Sequence, residues 1–107
     1  MIMEKSTIGP AQIFSEERFT KMDIFKSRNS SMFMLNFNPG QAMKSHGHPG
    51  KELYLHVLEG HGTLTIDGRI VEVTAGDVVH LEADETIGFE NGGNRTSIYV
   101  TMNRLNG

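Results

Sequence analysis

Short runs of β-forming residues, separated by glycine, proline, asparagine and aspartate, recur along the sequence and point to an all-β fold. The runs are Asp23–Ser27, Met32–Asn38, Glu52–Leu58, Gly62–Ile66, Arg69–Val73, Asp77–Leu81, Thr86–Glu90 and Thr96–Met102. Strands this short and this closely spaced read as a β-sandwich or barrel. The turn chemistry agrees. Thr63–Ile66 and Ile70–Val73 flank Asp67-Gly68, and an Asp-Gly pair supplies the positive φ angles of a tight hairpin. Asn38-Pro39-Gly40, His48-Pro49-Gly50, Ala75-Gly76-Asp77 and Asn91-Gly92-Gly93-Asn94 interrupt the remaining runs with residues that stop or reverse a strand. No segment keeps a helical period, and Ser15–Phe19 alone could hold a short turn of helix.

Nothing divides the chain. It has 107 residues and no internal repeat, low-complexity tract or Ser/Pro-rich linker. Its length suits one core that buries roughly 65% of the unfolded surface. Residues 1–107 are expected to form one domain, with 1–22 as an N-terminal extension packing on the barrel or pairing with it. Thirteen acidic and ten basic residues give a formal charge of −3 and are spread without a block of one sign, so no nucleic-acid partner is indicated. The apolar runs are too short to span a membrane as helices, and the N-terminus lacks the basic-then-apolar pattern of a signal peptide. A cytoplasmic protein is the default expectation. With no cysteine, disulfides, thiolate ligands and a cysteine nucleophile are excluded.

Imidazole is then the natural focus. Of the five histidines, His46 and His48 form the one close pair. Residues at i and i+2 of a strand share a face, so both rings could reach one ion at about 2.0–2.1 Å. The flanking glycines and Pro49 would hold the pair at the edge of a strand. Solvent-exposed loop histidines would give the same local pattern.

The surrounding sequence, PGQAMKSHGHPGKELYLHVLEG, places Gly40, His46, His48, Glu52 and Gly60 in the order of a known motif. It resembles the first signature motif of the cupin family. Ala75-Gly76-Asp77-Val78-Val79-His80-Leu81 is similar to the start of the second motif, and Asn91 falls where that motif ends. The resemblance covers residues 32–101. It implies a small single-domain cupin, a double-stranded β-helix (jelly-roll) barrel that binds a divalent metal in its lumen through two histidines, a glutamate and a third histidine.

The sequence departs from that pattern in two places. The second motif's Pro-x-Gly and third histidine correspond here to Glu82, Asp84 and Ile87, and isoleucine cannot ligate a metal. Glu52 lies three residues after His48 but seven before Gly60, one more than the motif's usual six. Alternation sets Leu53, Leu55 and Val57 on one face and Glu52, Tyr54 and His56 on the other, so a regular strand would turn Glu52 away from the lumen. A one-residue bulge near Lys51–Leu53 would turn it back. In that case His46, His48 and Glu52 would form a metal-binding face with open positions, suited to iron or manganese and also to zinc or nickel.

The other candidates have structural readings. His80 is expected as a wall residue or hydrogen-bonded core histidine, His56 as a substitute ligand in the alternative register, and His61 as a surface residue. Asp67 and Asp77 fit local turn bonding. Tyr54 and Tyr99 could donate to a ligand, and Met32, Met34, Met43 and Met102 could line the barrel with adaptable walls. Two functions follow as expectations: a metal-binding cupin that binds or transforms a small molecule by dioxygenation or isomerisation, and a metal-free binding or sensory module. Either could be a homodimer formed through Ile24, Phe33, Leu35 and Phe37.

Overall fold

The computed structural model describes residues 3–105. One 3-10 turn, Gly9–Ala11, precedes nine strands: β1 (Thr20–Lys26), β2 (Ser30–Phe37), β3 (Ala42–Gly47), β4 (Lys51–Glu59), β5 (His61–Ile66), β6 (Arg69–Thr74), β7 (Val78–Leu81), β8 (Thr86–Asn91) and β9 (Thr96–Arg104). Eight of them overlap the expected runs. The ninth, β3, is not announced by alternation because Met43 is its one buried side chain. Residues 16–18 form bends, not helix. The helical turn falls earlier, where Pro10 presets φ in its first positions.

The strands pair antiparallel in two sheets, ordered β1-β2-β9-β4-β7 and β3-β8-β5-β6. The Asp67-Gly68 turn joins β5 to β6, with φ of 49° and 79° and Ile66 opposite Arg69, as a two-residue hairpin of this handedness requires. Cross-strand rows build the interior. Phe33–Val100–Leu55 and Leu35–Ile98–Val57 are register neighbours across β2, β9 and β4. Leu64, Val73, Ile87 and Phe89 of the second sheet join the same core.

The two ends of the interior differ. At one end Phe37 and Phe89 meet with ring centroids 4.7 Å apart, and Val57, Leu64 and Ile98 are fully buried there. The other end is open. It holds a cavity of about 270 Å³ walled by Phe33, Leu53, Leu55, Val100 and Met102, among others.

Phe33, Leu35 and Phe37 belong to the core, so they do not supply the outward dimer surface expected of them. The opposite face of β2 carries Met34 and Asn36, which are also buried. The N-terminal segment lies against this face: Asn36 Nδ2 donates to the Ala11 carbonyl at 2.8 Å, and Gln12 Nε2 donates to Ser97 Oγ at 3.4 Å. Further along, the Ser15 carbonyl accepts from Asn38 and Gln41. Phe19 then stacks on Phe37 at 5.1 Å and reaches the wall of the cavity. Of the methionines expected in the lumen, Met43 and Met102 line it, whereas Met32 accepts a hydrogen bond from Tyr99 on the outer face.

Candidate functional site

Strand β3 brings the histidines to the open end through a bulge. Met43 pairs with Phe89 and His46 with Ile87, so three steps on β3 match two on β8, and Lys44 and Ser45 together oppose Gly88. In a regular strand an inward Met43 would send His46 outward. The extra residue reverses the alternation, and Met43, His46 and His48 all line the cavity. Glycine is needed opposite the bulge, because a Cβ on residue 88 would lie 2.6 Å from Ser45 Oγ and 3.1 Å from its backbone nitrogen.

His46 and His48 stand with ring centroids 4.7 Å apart and planes inclined by 60°. His46 Nδ1 lies 2.9 Å from the Lys44 carbonyl. That contact sets the tautomer, with the proton on Nδ1, and leaves the Nε2 lone pair available. His48 Nδ1 is buried with no hydrogen-bond partner in the protein, although a buried polar atom normally has one. Burial first, and then the neighbouring His46, Lys51 and Lys21, lower the pKa of His48 below its ordinary 6.5. The ring is therefore neutral at pH 7, with a lone pair to offer.

Glu52 is not brought to this pair. The β4–β9 register runs unbroken from Lys51 to Val57 and shifts only between Val57 and Glu59, so there is no bulge near Lys51–Leu53. Leu53 and Leu55 face the cavity instead. On the other face of β4, Glu52 Oε2 lies 3.0 Å from His80 Nε2, and the His80 ring stacks on Tyr54 at 4.6 Å. His56, His80, Tyr54 and Tyr99 border a separate groove on that side. His80 is exposed and hydrogen-bonded there, which corrects its expected alternative as a core histidine, and Tyr54 and Tyr99 stand at this groove and not in the lumen.

Ile87, directly opposite His46, is buried in the cavity wall. The lumen thus offers a divalent metal two imidazoles. Among the described residues, no group of three histidines, aspartates or glutamates could hold one. Catalytic zinc takes three protein ligands and structural zinc takes four, so the donor set fits such an ion in kind but not in number.

Sequence reasoning overlooked Phe19 and Lys21. Both line the cavity, and the Lys21 ammonium sits 4.6 Å above the Phe33 ring. No local motif marks them, since they reach the lumen through the path of the N-terminal segment.

Fold and site together describe a small single-domain barrel of the double-stranded β-helix class with a histidine pair at its mouth. The chain belongs to the cupin family: the family model described as Cupin domain matches residues 33–102. No curated protein matches. Among solved structures, the chain is similar to a protein from Thermus thermophilus at 21% identity and TM-score 0.88, covering 97% of this chain and 100% of that one. An RmlC-like cupin protein from Desulfovibrio desulfuricans aligns at 25% identity and TM-score 0.83, with 95% and 97% covered. A protein from Klebsiella pneumoniae with a double-stranded β-helix domain aligns at 18% identity and TM-score 0.88, covering 98% and 93%.

Proposed function

We propose that the chain binds a small, mostly apolar organic molecule in the open half of its barrel, with His46 and His48 as polar contacts at the rim. The cavity carries this proposal: it measures about 270 Å³ and has an aliphatic and aromatic lining broken by His46, His48 and Lys21. A ligand hydroxyl or carboxyl would hydrogen-bond the imidazoles at the rim, and the aliphatic wall would hold the rest of the ligand. An apolar cavity of about 150 Å³ accepts benzene, so this one has room for a larger ring or a medium chain. A cytoplasmic location and a homodimer belong to the same proposal.

A second arrangement rests on His46, whose Nδ1 contact with the Lys44 carbonyl leaves Nε2 available. His46 and His48 would share an iron, manganese, zinc or nickel ion with a chelating small molecule that supplies the donors the protein lacks. Dioxygenase or isomerase chemistry belongs to this arrangement alone. If Glu52 is a ligand as well, it must leave His80 and cross to the other face of β4.

Methyl NMR of Met43 and Met102 tests both arrangements. EDTA-treated protein is titrated with a panel of small aliphatic and aromatic acids and alcohols. Saturable shifts in EDTA support the metal-free cup. Shifts that need added zinc or iron support the second arrangement, and their absence under both conditions rules out both.

A further inference from the structure

Five cations scattered through the sequence converge beside the lumen. Lys21 and Lys26 on β1, Arg28 in the β1–β2 turn, Lys51 at the start of β4 and Arg104 at the end of β9 line one cavity of about 250 Å³. The topology assembles them. Lys51 is the register partner of Arg104, and the Arg104 amide donates to the Asn29 carbonyl at 2.7 Å, tying the β1–β2 turn to β9. Among the described residues, no carboxylate lines this cavity. Lys21 has a 3.7 Å contact with Asp23, and Lys26, Arg28, Lys51 and Arg104 form no ion pair among the described residues. Like charges gathered without counter-charge oppose folding, so their convergence in a chain of net charge −3 calls for an anion from outside.

The two cavities adjoin, since Lys21 and Met102 line both. We infer that the Lys21, Lys26, Arg28, Lys51 and Arg104 cluster is a subsite for the anionic head group, phosphate or carboxylate, of an amphiphile whose apolar body occupies the lumen. Arginine forks and lysine ammonium groups suit both anions, and several cations together favour the dianionic phosphate. This inference rests on the reading of the lumen as a ligand cup, and it explains why one wall of an apolar cavity ends in positive charge.

Calorimetric titration of the full chain at low salt with octanol, octanoate, octyl phosphate and inorganic phosphate tests this. Octyl phosphate is expected to bind at least about tenfold more tightly than octanol, with octanoate between them. Arg28→Gln combined with Lys51→Gln should remove most of that difference and leave octanol affinity unchanged. In the unaltered protein, raising the salt to about 0.5 M should weaken octyl phosphate and not octanol, which keeps the test decisive if the double variant folds poorly. Octyl phosphate binding no tighter than octanol overturns the subsite and leaves the cup standing. Phosphate binding that the variants abolish, with no octanol binding, supports the anion subsite and overturns the cup.

Discussion

Ser45 and Gly88 face each other across β3 and β8 with no room for a methyl group between them, the Cβ position of residue 88 lying 2.6 Å from Ser45 Oγ. The bulge that turns His46 into the lumen depends on this contact. Gly88→Ala should push β3 outward and cost about 1–3 kcal/mol, read by urea unfolding. The His46 and His48 ring resonances should move more than those of His56 and His80. Unchanged ring positions would show that the bulge tolerates a side chain there.

Glu52 and His80 form a partly exposed pair on the outer face. Glu52→Gln should change stability by less than about 1 kcal/mol and leave ligand or zinc binding at the lumen unaltered, while the His80 ring signals shift. A tenfold loss of zinc affinity would place Glu52 with His46 and His48 after all.

Ile87 stands across from His46 at the position where a third imidazole would complete a metal face. Ile87→His should raise zinc affinity at least about tenfold and cost about 1–3 kcal/mol of stability without metal, because a polar ring replaces a buried aliphatic side chain. Competition with a fluorescent zinc indicator measures the first effect and metal-free thermal unfolding the second. Equal zinc affinity in the two proteins would mean that the lumen does not present its histidines to one ion.

His48 links stability to pH. Its pKa in the folded protein lies below the ordinary 6.5, so the unfolded chain binds its proton more readily. Its contribution is fully present above about pH 6.5 and is lost as pH falls through the folded value. Melting temperature should drop across that window in the wild type, and more shallowly in His48→Asn. Parallel curves for the two proteins would assign the slope to other groups.

The barrel was largely legible because its signals are local. Asp67-Gly68 dictates its hairpin, and the apolar alternation of Leu53, Leu55 and Val57 dictates which face of β4 is buried. The His46–His48 pair was legible as a pair, but its orientation was not. That orientation follows from a bulge at Lys44–Ser45, in a stretch where one buried residue gives no period to follow. Alternation by itself put Glu52 outside, where the structure has it; the bulge expected near Lys51–Leu53 is absent, and the one that matters is on β3. The cationic cluster was illegible for another reason. Its members are separated by up to 83 positions in the sequence (from Lys21 to Arg104), and only strand pairing shows that they are neighbours.

Strand β3 is the outermost strand of its sheet and is bonded to β8 alone. The two rim histidines therefore ride on, or just beyond, an element that can detach while the other strand pairs stay bonded, at a lower free energy than global unfolding. Entry to the cup need not wait for the barrel to breathe as a whole. A guest that touches both β3 and the far wall would act as a staple, and its arrival should be recorded first as slowed amide exchange at residues 42–47.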